Sequence, residues 1–279
     1  MKVNGKTAIL GLMGDPVEHT LSPLLHNTFA ETDGINTIYE AFHVKRGDTE
    51  NALKGGFSLG IQGFNVTVPH KEDVIPFLSE IDPAAERIGA VNTLVRIDTG
   101  YKGYNTDYLG IMRQIRECGF DITGEKVILI GAGGAASAVV EALFGLGASG
   151  IFILNRSVEK AQKKFGSDKR IKILPLDGFR DIPGEGYFSV QCTNVGLSPD
   201  TDRAPIEDED FYKKTDRAID IIYNPYETKF MKKVRENGGR AENGMYMLLY
   251  QALESYRLFT GHEVSKDAVL KAERALLEL

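Results

Sequence analysis

Short apolar runs alternate with amphipathic stretches of helical period along most of this chain, the pattern of a layered α/β protein. In the first hundred residues, Ala8–Met13, Ile38–Val44, Gly60–Thr67 and Thr93–Ile97 predict strands. Between the first two, Ser22 followed by Pro23 offers an N-cap and a proline at the first helical position. Leu24, Leu25, Thr28 and Phe29 then repeat at helical spacing, so a helix is expected to open at Ser22. A second alternation starts at Lys126, with a strand Val127–Ile130, a helix Ala135–Leu146 and a strand Ile151–Leu154, which make a βαβ unit. Further strands at Ile171–Leu174, Phe188–Cys192 and Ala218–Ile222 would complete a doubly wound sheet ending near Gly244.

Beyond that glycine, Met245, Leu248, Leu249, Ala252, Leu253, Tyr256 and Phe259 recur at helical intervals until Gly261 supplies a stop signal. A last helix runs from Lys266 to Leu279, with Ser265 as its N-cap. The expected architecture has two lobes: residues 1–107 completed by 245–279, and residues 108–244, with the carboxy-terminal helices bracing the first lobe.

Composition narrows the function classes. A chain of 279 residues, 42% of them hydrophobic, can bury a core without disulfide staples. Its two cysteines, Cys118 and Cys192, have neither metal-ligand nor redox-motif spacing and read as reduced thiols. The formal charge of −6 argues against nucleic acid as a partner. The opening residues lack a signal-peptide pattern, and no stretch approaches the roughly 18 apolar residues of a membrane span, so a cytoplasmic protein without a membrane partner is expected. His19, His26, His43, His70 and His262 are scattered, so no metal site is expected, and His70 reads as structural.

Directly after the Val127–Ile130 strand stands Gly131-Ala132-Gly133-Gly134-Ala135-Ala136, a G-x-G-x-x-A opening a helix. Such glycines allow a tight turn and close backbone approach, so that free N–H groups and the positive end of the helix dipole can meet a pyrophosphate. At the end of the next strand, 24 residues beyond Gly131, an NAD-preferring site would place a carboxylate on the ribose. This chain has Asn155-Arg156-Ser157 there, with Lys160 one turn on. Cations without a carboxylate favour a 2′-phosphate, hence NADP.

The densest polar cluster of the first lobe is Asn65-Val66-Thr67-Val68-Pro69-His70-Lys71, at a strand end. Alternation points Asn65 and Thr67 to one face, and the prolyl turn brings Lys71 round towards them. An amide, a hydroxyl and an ammonium side by side suit a polyhydroxylated ligand. The same residues also have ordinary uses: Asn92 and Asn105 as turn residues, Asp107 as a helix cap, Gln251 as an exposed helix position, Tyr223 as a core aromatic.

Over nearly its whole length the chain resembles the shikimate dehydrogenase family. The resemblance rests on His19-Thr20-Leu21-Ser22-Pro23, Asn65 to Lys71, Gly89-Ala90-Val91-Asn92-Thr93, Asn105-Thr106-Asp107, the glycine loop with Asn155-Arg156-Ser157, and Gly244 with Met247 to Gln251. It implies an N-terminal α/β substrate domain and a Rossmann-like NADP-binding domain. The implied activity is the reduction of 3-dehydroshikimate to shikimate, a step of aromatic amino-acid biosynthesis, by a monomer or homodimer. Lys71 and Asp107 would act at the reacting carbonyl. Thr20 and Ser22 would hold the substrate carboxylate, and Asn65, Thr67, Asn92, Asp107 and Gln251 its ring hydroxyls, with Tyr223 lining the pocket. Gly244 and Met247 would lie near the nicotinamide, with Thr193 and Ile221 along the cofactor cleft. A quinate/shikimate dehydrogenase using NAD is the nearest alternative; Ser22, which has no methyl group, and the absence of an acidic residue at Asn155-Arg156-Ser157 argue against it. A non-catalytic descendant would be expected to lose Lys71 or Asp107, and both are present.

Overall fold

The computed structural model describes residues 3–278. The chain opens with β1 (Ala8–Gly14), α1 (Ser22–Asp33), β2 (Thr37–His43), α2 (Thr49–Ser58), β3 (Gly63–Val66), β4 (Glu80–Ile81), α3 (Pro83–Ile88), β5 (Thr93–Ile97), β6 (Gly100–Tyr104) and α4 (Asp107–Glu117). There follow β7 (Lys126–Ile130), α5 (Ala136–Gly145), β8 (Gly150–Leu154), α6 (Val158–Phe165), β9 (Ile171–Leu174), β10 (Tyr187–Gln191), α7 (Glu209–Lys213), β11 (Thr215–Asp220), α8 (Lys229–Glu236) and β12 (Arg240–Glu242). Two helices close the chain, α9 (Met245–Thr260) and α10 (Lys266–Leu277). Leu279, where the last helix was expected to end, lies outside the described residues.

The chain divides into two compact units, Met1–Gly110 with Leu249–Leu279, and Ile111–Leu248. Both divisions fall inside helices, α4 and α9, where no Gly- or Pro-rich linker marks them.

In the first unit six strands are ordered β2-β1-β3-β5-β6-β4. β1 pairs in parallel with β2 and β3, while β3–β5 and β5–β6 are antiparallel. The core is built from inward-facing apolar residues of these strands and of the helices against them, among them Leu10, Leu12, Phe64, Val66, Leu94 and Phe29. Ser265 caps α10 by accepting from the amide of Ala268 at 3.2 Å, and its own amide and hydroxyl bond the Asp33 carboxylate at the end of α1.

Two sequence expectations change here. Ser22 is not an N-cap: that position belongs to Leu21, no side chain caps the helix, and Pro23 stands in the first turn. The Ser22 hydroxyl is therefore spent elsewhere. The third strand is shorter than Gly60–Thr67, because Gly60 bonds back to the carbonyl of Phe57 in the turn that closes α2. The helix α2 had no clear signal, since Gly55 and Gly56 interrupt its apolar face.

The second unit is a fully parallel sheet, β12-β11-β10-β7-β8-β9. β7, β8 and β9 run outward in one direction, and β10, β11 and β12 in the other, so the order reverses between β7 and β10. In such sheets ligands bind outside the carboxyl ends of the strands at that switch point. The strands predicted to end at Cys192 and Ile222 stop at Gln191 and Asp220. Thr193 and Ile221 consequently lie in the loops at those carboxyl ends. Val127 to Ile130 and Ile151 to Leu154 are buried on both faces, as continuous apolar runs in a covered parallel sheet should be. Among the described residues no helix is long and apolar enough to cross a membrane.

Candidate active site and dinucleotide loop

Lys71 and Asp107 form the centre of the first unit's polar cluster, with Nζ 2.6 Å from Oδ2 and side chains 24% and 11% exposed. Asp107 is the first residue of α4, but it does not cap that helix. Asn105 takes that task, its Oδ1 accepting from the amides of Asp107 at 3.0 Å and Tyr108 at 3.4 Å. The Asp107 carboxylate is thereby left for side-chain partners, and Asn92 Nδ2 donates to its second oxygen at 2.8 Å. Both oxygens of one carboxylate are held by named donors, which fixes its plane.

Asn92 is itself pinned. Its Oδ1 accepts from the Thr106 amide at 2.7 Å and from Thr93 Oγ1 at 2.9 Å, and its Nδ2 also reaches Thr106 Oγ1 at 2.9 Å and Gln251 Oε1 at 3.5 Å. Asn65 Nδ2 donates to Asn92 O at 3.1 Å, Thr93 Oγ1 at 3.0 Å and Ser255 Oγ at 2.9 Å. Thr67, half-buried, stands where its Cγ2 closes over Gly14. The structure thus brings Asn65, Asn92, Asp107, Lys71 and Gln251 into one buried network. The simple turn reading of Asn92 and the exposed-helix reading of Gln251 fail, because their amides point into this cluster.

At the start of α1, Thr20 Oγ1 donates to Ser22 Oγ at 3.2 Å, while the phenol of Tyr39 donates to Asn65 Oδ1 at 2.7 Å. His70, beside Lys71 in sequence, faces the other way and is fully buried, its ring nitrogens 3.1 Å from Thr49 Oγ1 and 2.6 Å from the carbonyl of Val44. The structural reading of His70 holds.

In the second unit, Gly131 has φ of 103°, and a Cβ there would stand 2.7 Å from Thr193 Cγ2 and 3.2 Å from the backbone of Cys192. Only glycine permits this turn so close to the loop after β10. Gly133 and Gly134 are exposed, and α5 opens with neither a side-chain cap nor an acidic residue in its first turn. Its N-terminal amides and dipole are thus unopposed by negative charge. Asn155 Nδ2 bonds the carbonyl of Ser157 at 2.8 Å and shapes the turn from which the exposed Arg156 and Lys160 project. A glycine turn at the switch point, an uncapped helix start and two cations fit a phosphorylated dinucleotide.

A Cβ on Gly244 would collide with the carbonyl of Ile221, so these two candidates are in direct approach. Met247 is buried. Tyr223 is half-buried, and burial raises its phenol above the ordinary value. Tyr223, Thr193, Ile221, Gly244 and Met247 all belong to the second unit, and the Lys71 cluster to the first.

Sequence reasoning missed several participants. Ser255 is one helical turn after Gln251 on α9, a spacing that could have revealed it; its hydroxyl also lies 2.9 Å from both Thr93 Oγ1 and Thr106 Oγ1. Lys164 Nζ reaches back from α6 to the carbonyl of Gly133 at 2.9 Å. Asp220 is wholly buried under the loop after β10, accepting from Thr228 Oγ1 at 2.7 Å, the Ile222 amide at 3.0 Å and Gln191 Nε2 at 3.3 Å. Desolvation lifts its carboxyl to about 7 against those donors. No local pattern marks Asp220 or Tyr39.

Comparison with known proteins adds a second line of support. Residues 12–94 match the model of the shikimate dehydrogenase substrate binding domain, residues 113–182 that of shikimate/quinate 5-dehydrogenase, and residues 244–272 that of the shikimate 5′-dehydrogenase C-terminal domain. The shikimate dehydrogenase (NADP(+)) of Moorella thermoacetica is 40% identical over 270 residues, covering 94% of this chain and 91% of its own length. The solved chorismate mutase/shikimate 5-dehydrogenase fusion protein from Clostridium acetobutylicum aligns with a TM-score of 0.91 at 33% identity, covering 98% of both chains. The shikimate 5-dehydrogenase of Thermus thermophilus, solved in complex with NADP(H) and shikimate, aligns with a TM-score of 0.85 at 29% identity, covering 97% of this chain and all (100%) of its own.

Proposed function

The chain belongs to the shikimate dehydrogenase family, and on that premise we propose that it reversibly reduces 3-dehydroshikimate to shikimate with NADPH, in the route to the aromatic amino acids. The observation that carries this reading is the 2.6 Å Lys71–Asp107 pair, held by Asn92 inside a buried network of amides and hydroxyls. A charged acid–base pair set among groups that match ring hydroxyls is what proton transfer at a hydroxylated ketone requires.

We assign the first unit to substrate and the second to NADP. Thr20 and Ser22 hold the carboxylate by their hydroxyls, at the start of a helix whose dipole favours an anion. Thr67, Asn65, Asn92 and Gln251 hold ring hydroxyls. When bound, NADPH supplies the hydride that reduces the carbonyl carbon. Lys71 keeps one ammonium proton on Asp107 and has two more to direct at the carbonyl oxygen, stabilising its growing negative charge and then protonating it. Asp107 orients the lysine and accepts from a neighbouring ring hydroxyl. In the second unit Gly131, Ala132, Gly133, Gly134, Ala135 and Ala136 receive the pyrophosphate. Asn155 and Ser157 form the turn that presents Arg156 and Lys160 to the 2′-phosphate. Thr193, Ile221, Gly244 and Met247 border the nicotinamide end. The two unpaired thiols, Cys118 and Cys192, support a reducing, cytoplasmic setting.

The test is steady-state reduction of NADP and of NAD, each with shikimate and with quinate, followed at the nicotinamide absorbance. Shikimate with NADP should give the highest kcat/KM of the four. A higher value for quinate with NAD would assign the chain to the alternative specificity within the family.

A further inference from the structure

We propose that Gln191 and Asp220 are positioning residues for the nicotinamide end of the dinucleotide site, fixing the two loops that carry Thr193 and Ile221. The inference rests on the assignment of those loops to that end of NADP. Gln191 closes β10 and Asp220 closes β11, and the two are register partners in the parallel sheet. Their side chains therefore leave the same face of the sheet, at the carboxyl ends beside the switch point. Both residues are 0% exposed, and a buried amide or carboxyl must find its partners inside the protein.

Those partners are the backbone of the two loops. Gln191 Oε1 accepts from the amide of Thr193, which fixes the orientation of the side-chain amide. Its Nε2 lies 3.2 Å from the carbonyls of both Thr193 and Val195 and 3.3 Å from Asp220 Oδ1. That same Oδ1 accepts from the Ile222 amide at 3.0 Å, and Asp220 Oδ2 accepts from Thr228 Oγ1 at 2.7 Å. Gln191 thus holds the loop after β10, Asp220 holds the loop after β11, and the contact between them ties one loop to the other.

Each loop in turn closes on a glycine assigned to the cofactor. A Cβ on Gly131 would stand 2.7 Å from Thr193 Cγ2, and one on Gly244 would strike the carbonyl of Ile221. The Gly244 amide also donates to the carbonyl of Ile222 at 3.0 Å. With so little slack at either glycine, the surface offered to a flat ring is set by where Gln191 and Asp220 hold the loops. The turn that presents Arg156 is shaped separately, by Asn155 and the carbonyl of Ser157, so the 2′-phosphate end is independent of this brace.

Gln191→Met keeps the length of the side chain and removes its amide. It should raise KM for NADP roughly tenfold, and KM for NAD by the same factor, because the nicotinamide end is common to both. KM for shikimate should stay within about twofold. Affinity for adenosine 2′,5′-bisphosphate, which carries the 2′-phosphate and lacks the nicotinamide, should also stay within about twofold, a result that general loss of structure would not give. Asp220→Leu should repeat the pattern, and is read in its place where Gln191→Met does not fold. Unchanged KM for both cofactors, a rise for NADP alone, or equal weakening of the bisphosphate would each overturn the inference. The unsubstituted protein separates the two levels. If it binds the bisphosphate and NADP while the variants leave KM unchanged, only the role of Gln191 and Asp220 falls; if it binds neither, the dinucleotide assignment beneath it falls.

Discussion

The polar groups of the first unit are spent on one another, whereas those of the glycine loop in the second are left open. Around Lys71, nearly every donor and acceptor is engaged: Asp107 by two partners, Asn92 by its neighbours on both atoms, Asn65 by Tyr39 on one side and by a hydroxyl cluster on the other. In the second unit, Gly133, Gly134, Arg156 and Lys160 are exposed and the start of α5 is uncapped. The contrast fits what each part would recognise under the proposed function. A small hydroxylated ring is discriminated by orientation, which requires side chains that cannot turn. A pyrophosphate is recognised by charge and by backbone amides, which the fold orients without further help.

The largest test of this contrast is Lys71→Ala. It should lower kcat by at least roughly a hundredfold while changing shikimate affinity far less, since only the transition-state interaction is removed. Turnover within a few-fold of normal would remove Lys71 from the mechanism.

A second test opposes the two units through pH. His26, buried in the first, is held neutral with its value lowered by desolvation to about 3, so below pH 6.5 the unfolded chain binds a proton that the folded unit refuses. That stabilising contribution is present above pH 6.5 and lost as pH falls. Asp220, in the second unit, is raised to about 7, so the folded unit keeps a proton that the unfolded chain releases above 3.8. Its contribution is present at low pH and lost as pH rises through 7. Going from pH 7.5 to 5 should therefore cost the first unit about 2 kcal/mol and stabilise the second by a similar amount. Amide exchange in β1 to β3 against β7, β10 and β11, corrected for intrinsic rates, measures both. Asp220→Asn should abolish the second unit's gain; parallel behaviour of the two units would contradict the opposition.

The smallest effect concerns the open loop. Arg156→Ala should raise KM for NADP roughly tenfold and KM for NAD much less, because only NADP offers the guanidinium a 2′-phosphate. Equal changes would show that Arg156 does not read that phosphate.

Both regions were legible in the sequence to different depths. The glycine loop was readable because its geometry is local: a strand, a turn and a helix start lie within a dozen residues. Lys71 and Asp107 were readable through motifs, yet Ser22 misled as a helix cap, since its hydroxyl pairs with Thr20 and not with the backbone of α1. Tyr39, Ser255 and Asp220 left little or no trace, being an ordinary strand aromatic, a helix serine and a strand-end acid.

What the sequence determined by itself was the alternation of elements, the glycine turn and the residue types of the Lys71–Asp107 pair, because periodicity, φ preference and charge act over a few neighbours. What only the tertiary structure decided was which hydroxyl bonds which amide. Asn65 and Ser255 are 190 residues apart in sequence, and their 2.9 Å contact exists because β3 and α9 meet in one core. Burial then makes each of those pairings obligatory, since a polar group removed from water must find its partner in the protein.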